Sequence, residues 1–365
     1  MNIKILGLVD NYTSADFGPM SKHRAIASTS FLGRYAFVDF PLSNFTNSGI
    51  ESMGILCKNH IRSLSRHVTN GRVWTGNTKI GDFSILYDEP NVRIPAYNTD
   101  IANLTENHWF LNAVHPDYVV IAPSHIIYHC DFRQLVEEHI ASKNKITLLY
   151  SHQTGLRNHF INADKVVLGD RGRVMSLETN KGNSDEGDIS LATWILSLVE
   201  FGKNTSAFFN LTDVLKYTST SVLVKGKKID GYVRQFDSLS HYLQYSLELL
   251  DEDVFSELFK QDWPIFTRSY DTPPVLYKSG CKVANSYIAN GSIIEGTVIN
   301  SIVGRGVRIK KGSVIKNAVI GSNAVIDENT RIENAVVDKD AQVMHISEVV
   351  GSLDDPLYVA RGDIV

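Results

Sequence analysis

The pentapeptide Asn300-Ser301-Ile302-Val303-Gly304 decides the fold of this chain, because it recurs twice at one fixed spacing. Its second copy, NAVIG, occupies residues 317–321 and its third, NAVVD, occupies residues 334–338, so each step is 17 residues long. A degenerate earlier copy, NSYIA at residues 285–289, begins 15 residues before the first. Repetition at a fixed step indicates an architecture of stacked units, in which each unit packs on the next.

Aliphatic residues within these copies recur every five or six positions. A period near six predicts three short strands per coil, as in a hexapeptide-repeat parallel β-helix, whose aliphatic side chains stack in one interior column. Gly and Asn at the corners tolerate the φ angles that tight turns require. An ordinary β-sandwich has no reason to keep a 17-residue step, so the solenoid is favoured. The predicted column consists of Val303, Ile309, Ile315, Ile320, Ile326, Ile332, Val337 and Val343.

Composition excludes several classes of function. The 365 residues are 43% hydrophobic and 21% charged, which is typical of a globular protein large enough for two domains. Net charge is −4 and no block of basic residues occurs, which argues against nucleic acid as a partner. Three scattered Cys show no metal-ligand spacing, and no apolar stretch has the length of a membrane span. The first residues resemble a strand and not a signal peptide, so the cytoplasm is the expected location.

Residues 1–250 alternate short apolar runs with amphipathic stretches, which predicts an α/β domain with a mainly parallel sheet. Ligands of such domains bind at the carboxyl ends of the strands. Residues 251–274 are interpreted as a linker and residues 275–365 as the β-helix, in which residues 356–365 form a last strand. The predicted strands are residues 3–9, 52–56, 118–122 and 145–150, and the predicted helices are residues 132–142 and 239–250.

A family resemblance lies in the sequence VDFPLSNFTNSGI at residues 38–50, which Arg24-Ala25 precedes. This run resembles the signature of bacterial ADP-glucose pyrophosphorylases, also called glucose-1-phosphate adenylyltransferases. Those enzymes join ATP and glucose 1-phosphate into ADP-glucose and pyrophosphate for glycogen synthesis. The resemblance covers nearly the whole chain. It implies a Rossmann-like, GT-A-like nucleotidyltransferase domain with a mainly parallel sheet, followed by a left-handed parallel β-helix for oligomerisation and regulation.

The phosphate-binding loop of that family is not recognisable in this sequence. Active relatives carry paired glycines after the first strand, whereas this chain has LGLVDNY at residues 6–12, with Gly7 as the one glycine. Without paired glycines the backbone cannot approach a triphosphate closely. Asp10 is expected to add a negative charge where phosphates would lie. The resemblance therefore implies a loop that is not built for a triphosphate.

Four further positions that the family uses for charge are replaced. The resemblance assigns Lys residues to the positions of Ile26 and Thr179. It assigns the two Mg²⁺-binding Asp residues to the positions of His125 and Gln235. His is a poor ligand for Mg²⁺, which prefers oxygen, and Gln carries no charge. Asp237 could replace the second ligand, although a shift of two residues moves a side chain by a whole strand repeat. No catalytic residue and no metal ligand is therefore expected on this chain.

Two basic residues are candidates for an effector site that binds phosphate. By resemblance, Arg34 replaces a Lys that contacts a phosphorylated activator in some relatives, and Lys58 replaces a Gln linked to effector response. The resemblance implies an anion pocket for a sugar phosphate or a nucleotide, and the alternative is ordinary surface charge. Arg34 lies next to Gly33 and before an apparent strand at residues 35–40, so its guanidinium could reach an anion from a mobile loop.

The favoured interpretation is a catalytically degenerate regulatory subunit of ADP-glucose pyrophosphorylase. By resemblance it modulates a catalytic partner in a hetero-oligomer, expected to be a tetramer. No cofactor is expected on this chain, and Mg²⁺ is expected at the catalytic partner. The alternatives are an active glucose-1-phosphate adenylyltransferase with an atypical site and a non-enzymatic β-helix scaffold. A hexapeptide acyltransferase is disfavoured, because the one His of the predicted solenoid, His345, lies near its end.

Overall fold

The computed structural model describes residues 3–13, 15–76, 81–89, 94, 98–203, 211–218 and 223–365. Within these ranges the helices are α1 (Asp39–Asn47), α2 (Ile61–Val68), α3 (Asp100–Glu106), α4 (His108–Val114), α5 (Phe132–Ala141), α6 (Leu198–Lys203), α7 (Leu211–Thr218), α8 (Leu239–Glu248) and α9 (Glu252–Leu258). The strands before the solenoid are β1 (Ile5–Asp10), β2 (Ser30–Phe31), β3 (Tyr35–Ala36), β4 (Ser52–Leu56), β5 (Phe83–Leu86), β6 (Tyr118–Pro123), β7 (Ile126–Tyr128), β8 (Ile146–Thr154), β9 (Asp164–Leu168), β10 (Val174–Thr179), β11 (Glu186–Ser197), β12 (Val224–Lys228) and β13 (Val233–Gln235).

The chain divides into two compact units, neither of which is continuous in sequence. The first unit contains Met1–Ser14, Val38–Gln235 and Gln261–Phe266, and the second contains Ala15–Phe37, Phe236–Lys260 and Thr267–Val365. The predicted domain boundaries follow sequence order and stay a prediction. Helix α9 lies within the stretch interpreted as a linker. It begins there because the Asp251 carboxylate accepts hydrogen bonds from the amides of Asp253 and Val254.

The first unit is built on a nine-stranded sheet, whose longest path has the order β10-β9-β11-β6-β1-β4-β5. Strand β1 lies between β4 and β6 and runs parallel to both, and β5 runs parallel to β4. Strand β11 runs antiparallel to β6, β8 and β9. The predicted strands are confirmed as β1, β4, β6 and β8, and the predicted helices as α5 and α8. Because β1, β4 and β6 are parallel, their carboxyl ends lie at one edge of the sheet.

The strand predicted for residues 35–40 is wrong beyond Ala36. Strand β3 ends at Ala36 and forms a hairpin with β2, and helix α1 begins at Asp39. Pro41 does not prevent this helix, because it lies in the first turn, where a missing N–H group leaves no intrahelical bond unmade. Helix α1 then packs on β1 so closely that a Cβ at Gly7 would lie 2.6 Å from the Phe45 ring. Gly7 therefore serves packing.

Three parallel sheets form the solenoid of the second unit. They contain β14-β17-β20-β23-β26, β15-β18-β21-β24-β27 and β16-β19-β22-β25-β28, and each has five strands. These strands are β14 (Leu276–Tyr277), β15 (Lys282–Ala284), β16 (Tyr287–Ile288), β17 (Ile293–Ile294), β18 (Thr297–Ile299), β19 (Ile302–Val303), β20 (Arg308–Ile309), β21 (Val314–Lys316), β22 (Val319–Ile320), β23 (Val325–Ile326), β24 (Arg331–Glu333), β25 (Ala335–Val337), β26 (Gln342–Val343), β27 (Glu348–Val350) and β28 (Leu357–Val359).

Strand register confirms the repeat lengths that the sequence predicts. Val303 pairs with Ile320, one step of 17 residues, and Ile288 pairs with Val303, the shorter step of 15 residues. Each sheet contributes its own stack of aliphatic side chains to the interior, such as Ile309 on Ile326. The predicted single column therefore consists of three stacks, because the chain turns three times in every coil.

Asparagine forms one corner in each of the first four coils. Asn285, Asn300, Asn317 and Asn334 all have φ between 42° and 48°, in the left-handed region that Asn tolerates better than most residues. Their side chains form a ladder along the solenoid axis, in which Asn300 Nδ2 donates to Asn317 Oδ1 at 2.7 Å and Asn317 Nδ2 donates to Asn334 Oδ1 at 3.3 Å. The recurrent Asn of the sequence repeat thus provides both the turn and the contact between neighbouring coils.

Candidate functional site

A cleft of about 460 Å³ lies in the first unit, at the edge of the sheet where β1, β4 and β6 end. Asp10 is the last residue of β1, Lys58 follows β4, and Pro123 is the last residue of β6. This is the edge at which parallel α/β sheets bind ligands. The cleft is lined by Asp10, Tyr12, Thr13, Lys58, Pro123, His125, Ile126, Asn162, Ala163, Asp164, Ser190, Ala192, Asp213 and Gln235.

The loop after β1 uses its backbone amides within the protein. The Asn11 amide donates to the Leu56 carbonyl at 3.2 Å, and the Tyr12 amide donates to the Asp10 carboxyl at 2.8 Å. Ser124 Oγ donates to Asn11 Oδ1 at 3.0 Å, which ties the loop to the end of β6. A phosphate-binding loop presents such amides to its ligand. Here these two amides already have acceptors.

Asp10 lies at the base of this loop, partly exposed to the cleft. Its pKa is raised to about 8, first by desolvation and then by the neighbouring carboxylate of Asp100, while the hydrogen bond from Tyr12 opposes the shift. A carboxyl group with this pKa is mostly protonated at pH 7. Burial beside Asp100 therefore disfavours the negative charge that the sequence predicts at Asp10. The charge develops as the pH rises through about 8.

Tyr12 joins the loop to α3. Its hydroxyl donates to Asp88 Oδ1 at 3.3 Å and accepts from Asn103 Nδ2 at 3.1 Å, and burial raises its pKa above the usual range. Lys58 Nζ lies 5.8 Å from the centroid of the Tyr12 ring, in the geometry of a cation–π contact. Lys58 thus belongs to the cleft of the first unit. Its role in binding an effector phosphate stays a prediction.

Strand pairing brings His125 and Gln235 together, the two positions at which the family carries Mg²⁺ ligands by resemblance. Gln235, the last residue of β13, pairs with Ile126, which directly follows His125, and all three residues line the cleft. An imidazole and a neutral amide do not fit Mg²⁺, which prefers carboxylate oxygens. Among the described residues, no three His, Cys, Asp or Glu side chains are placed to hold a metal. Asp237, the alternative ligand, lies in the second unit beside His241, 2.5 Å from Nδ1.

Thr179 and Ile26 lie outside the cleft lining. Thr179 is exposed at the end of edge strand β10, where it pairs with Asp164 of β9, and Asp164 does line the cleft. Lys216 Nζ of α7 lies 2.8 Å from the Asp164 carboxylate. Sequence analysis did not identify Asp164, because its place in the cleft depends on how β9 pairs and not on a local motif. Ile26 is buried in the second unit, in the turn Ile26–Ser28.

A β-bulge shapes part of the cleft wall. The register of β11 against β8 shifts between Ser190 and Thr193, and Ala192 has a φ of 47°. Ser190 and Ala192 both line the cleft, while the Thr193 hydroxyl is hydrogen-bonded to the Tyr128 hydroxyl at 2.6 Å. Bulges commonly redirect side chains next to binding sites. No pattern in the sequence marks this one.

Arg34, the other candidate for effector binding, lies in the second unit at the turn between β2 and β3. Its side chain is exposed, and its guanidinium carbon lies 5.1 Å from the centroid of the Tyr35 ring. Thr267 Oγ1 donates to the Arg34 carbonyl at 3.4 Å, and Gly33, with φ of 69°, forms the turn. No carboxylate among the described residues forms an ion pair with Arg34. Its guanidinium is therefore able to accept an anion, and that role stays a prediction.

Known proteins resemble both parts of the chain. Residues 17–159 match the nucleotidyl transferase family, and residues 277–355 match the GlmU-like C-terminal hexapeptide family. Glycogen biosynthesis protein GlgD of Geobacillus stearothermophilus is 30% identical over 86% of this chain and 84% of its own length. GlgD of Bacillus subtilis (strain 168) is 27% identical over 99% of this chain and 97% of its own length. The glucose-1-phosphate adenylyltransferase of Thermosipho melanesiensis is 26% identical over 82% of this chain and 74% of its own length.

Fold and matches together define the class, a nucleotidyltransferase domain followed by a left-handed parallel β-helix of hexapeptide repeats. The chain belongs to the bacterial glucose-1-phosphate adenylyltransferase family and within it to the GlgD proteins. The resemblance drawn from residues 38–50 is confirmed. Within the described ranges, the structure has no helix of the length and apolarity that a membrane span needs.

Proposed function

We propose that this chain is a catalytically degenerate regulatory subunit, which acts through a catalytic glucose-1-phosphate adenylyltransferase in glycogen biosynthesis. One observation carries the proposal. The amides of Asn11 and Tyr12, which a phosphate-binding loop would present to its ligand, are hydrogen-bonded within the protein. The cleft keeps the position of a nucleotide site on the sheet but does not offer a triphosphate the backbone cradle that it needs.

The replacement of the family's charged residues supports the same proposal. Nucleotidyl transfer depends mainly on positive charge placed at the phosphates. The family's lysines are replaced at Ile26 and Thr179, and Lys216 is bonded to Asp164 at 2.8 Å. Loss of one preorganised charge typically lowers the rate by about 10² to 10³. With four such positions replaced, useful turnover is not expected even if the effects are far from additive. Mg²⁺ is expected at the catalytic partner.

Mg²⁺-dependent pyrophosphate exchange tests the absence of catalysis. The isolated chain is expected to form no ADP-glucose above background, while the catalytic homologue from the same cell serves as the positive control. A turnover of about 1 s⁻¹, which is ordinary for enzymes, would overturn the proposal. The double variant His125→Asp, Gln235→Asp should also stay inactive, because the loop amides keep their internal acceptors. Activity in that variant would contradict the argument from the loop amides.

Assembly with the catalytic partner is proposed to use the solenoid, in part. Outward-facing aliphatic side chains on the sheet that contains β18 and β21 are exposed, with Ile299 at 38% and Val314 at 40%. Such surfaces are buried when subunits associate. Light scattering of the mixed subunits is expected to show a hetero-oligomer, by family resemblance a tetramer. Val314→Asp should weaken assembly, whereas Lys311→Asp at an exposed corner should not. Separate species on mixing the unmodified chains would contradict the proposal.

The regulatory part of the proposal assigns an effector's phosphate to Arg34. Two further Arg residues are sequence neighbours of residues that contact this hairpin. Thr267, which donates to the Arg34 carbonyl, precedes Arg268. Gly304, which would lie 3.3 Å from a Cβ at Gly33, precedes Arg305. Arg268 and Arg305 both lie over the Tyr270 ring, at 4.8 and 4.6 Å from its centroid. A guanidinium group can bind a phosphate or a sugar phosphate through two parallel hydrogen bonds.

Effector titration of the mixed complex tests this assignment. Coupling between an effector and a substrate site typically amounts to about 1–3 kcal/mol. Arg34→Ala should remove most of that coupling and leave assembly and the unactivated rate nearly unchanged. Arg34→Lys keeps a point charge without the bidentate geometry and should give an intermediate response. If the titrations of unmodified and Arg34→Ala complexes superimpose, Arg34 is ordinary surface charge.

A further inference from the structure

The third copy of the solenoid repeat ends on Asp338, where the first two copies end on Gly304 and Gly321. Glycine is required at these two positions because the next coil packs too closely for a Cβ. A Cβ at Gly304 would lie 2.8 Å from the Ser322 amide nitrogen, and one at Gly321 would lie 2.5 Å from the Lys339 amide nitrogen. Asp338 departs from this pattern and is only 3% exposed. A carboxylate at this depth requires a charged or hydrogen-bonding partner.

Its partner is Arg24, from the other end of the chain. The two side chains form an ion pair in which Arg24 is only 7% exposed. The Tyr358 hydroxyl donates to the same carboxylate oxygen at 2.5 Å, and the Lys339 amide donates to the other oxygen at 2.7 Å. Both oxygens of Asp338 are therefore bonded, and the pair lies among residues of the second unit.

The segment that carries Arg24 continues into the hairpin that carries Arg34. Tyr242 of α8 donates from its hydroxyl to the Ser30 carbonyl at 2.7 Å, at the start of β2. Burial raises the pKa of the Tyr242 hydroxyl. Arg24 itself lies six residues before Ser30, so the ion pair ties the segment that leads into the hairpin to the solenoid. At the other end of the hairpin, a Cβ at Gly33 would lie 2.9 Å from the Val303 carbonyl oxygen. The turn of the hairpin thus contacts the solenoid, and its first strand is bonded to α8.

We propose that Arg24 and Asp338 form a positioning pair, which fixes the hairpin of residues 30–36 on the solenoid and so orients Arg34 towards an effector. The orientation of Arg34 rests on the proposed function, whereas the fixing of the hairpin does not. Separation of a buried ion pair is strongly unfavourable, because each charge would be left buried and uncompensated. Asp338, which stands where the first two copies of the repeat have Gly, is the residue that encodes this contact.

Hydrogen exchange of the full-length chain tests whether the pair fixes the hairpin. In Asp338→Asn, amides of residues 29–37 should exchange at least about tenfold faster than in the unmodified chain, because local opening becomes easier. The matched control is Asp340→Asn, which removes an exposed carboxylate 3.3 Å from Arg361. It should leave those amides unchanged. If Asp338→Asn does not fold, Tyr358→Phe, which removes one donor to the carboxylate, should show a smaller acceleration. Exchange equal to that of the unmodified chain in a folded variant would overturn the proposal.

Binding of inorganic phosphate to the full-length chain tests whether the pair orients Arg34. Asp338→Asn and Arg34→Ala should weaken phosphate binding by similar factors, and the double variant should bind no more weakly than either one, because both act on one site. Weakening by Arg34→Ala without any change in Asp338→Asn would overturn the positioning role. If Arg34→Ala itself leaves phosphate binding unchanged, the effector assignment fails, while the hydrogen exchange result still decides whether the pair fixes the hairpin.

Discussion

Substitution of Asn317 tests why the solenoid carries asparagine at its corners. This residue has a φ of 48° and two ladder hydrogen bonds, at 2.7 Å with Asn300 and 3.3 Å with Asn334. Asn317→Gly keeps the backbone conformation and removes both bonds. Asn317→Ala removes the same bonds and adds a Cβ to a left-handed residue. Comparison of the two variants therefore separates the hydrogen bonds from the backbone.

The expected magnitudes follow from these contacts. Each lost hydrogen bond costs about 0.5–1.5 kcal/mol, so Asn317→Gly should lower the free energy of unfolding by about 1–3 kcal/mol. A Cβ in the left-handed region costs about 1–2 kcal/mol more, and glycine's larger loss of chain entropy on folding, about 0.5–1 kcal/mol, offsets part of this difference. Asn317→Ala should therefore be less stable than Asn317→Gly, by about 1 kcal/mol.

Urea unfolding measured by two probes provides the assay. Far-UV circular dichroism reports on both units, whereas the four Trp residues all lie in the first unit and report on that unit alone. The Asn317 variants should shift the dichroism transition and leave the Trp transition nearly in place. The matched control is Asn290, an exposed solenoid residue outside the left-handed region, where Ala should be at least as stable as Gly. Equal stability of Asn317→Ala and Asn317→Gly would refute the backbone argument.

Two predictions concern the first unit. Gly7→Ala should destabilise it by about 1–3 kcal/mol, because the new Cβ would lie 2.6 Å from the Phe45 ring. The control Gly76→Ala should not destabilise it, since no atom lies within 4 Å of a Cβ there. Equal Trp transitions of the two variants in urea would contradict this prediction. Asp10→Asn should flatten the dependence of stability on pH. In the folded unmodified chain the Asp10 pKa is raised from 3.8 to about 8, so stability falls as the pH rises between these values, by up to about 1.4 kcal/mol per pH unit. Urea midpoints of the variant measured from pH 5 to 8 should lack this slope, and parallel curves would contradict the assignment of the proton to Asp10.

The solenoid and the central strands were predictable because their patterns are local. An exact 17-residue step encodes the register of Val303 with Ile320, and Asn at the corners encodes the turns. Similarly, apolar runs predict β1, β4 and β6, and their parallel order places the cleft at their carboxyl ends. The pairing of β7 with β13 brings His125 and Gln235 together in that cleft, at the two positions to which the resemblance assigns the family's Mg²⁺ ligands.

The hairpin and the protonation of Asp10 were not predictable, because both depend on contacts between distant parts of the sequence. Residues 35–40 have a strand-like composition, but helix α1 forms from Asp39 because its buried side chains pack against the sheet. The composition of the loop after β1 predicts a negative charge. The raised pKa of Asp10 arises first from burial and then from Asp100, which tertiary packing brings beside it. Local sequence reports which face of an element is buried, and it does not report which charges meet there.

The ion pair between Arg24 and Asp338 shows how such a contact still leaves a trace in the sequence. Nothing local links two residues 314 positions apart. A repeat, however, predicts the residue type at each position of every coil. A residue that departs from this prediction is therefore explained by a contact from outside the coil. At Gly304 and Gly321 stacking excludes any side chain, and at the equivalent third position the chain carries a buried carboxylate. In a solenoid with so regular a pattern, the irregular residue marks the place where another segment is bound.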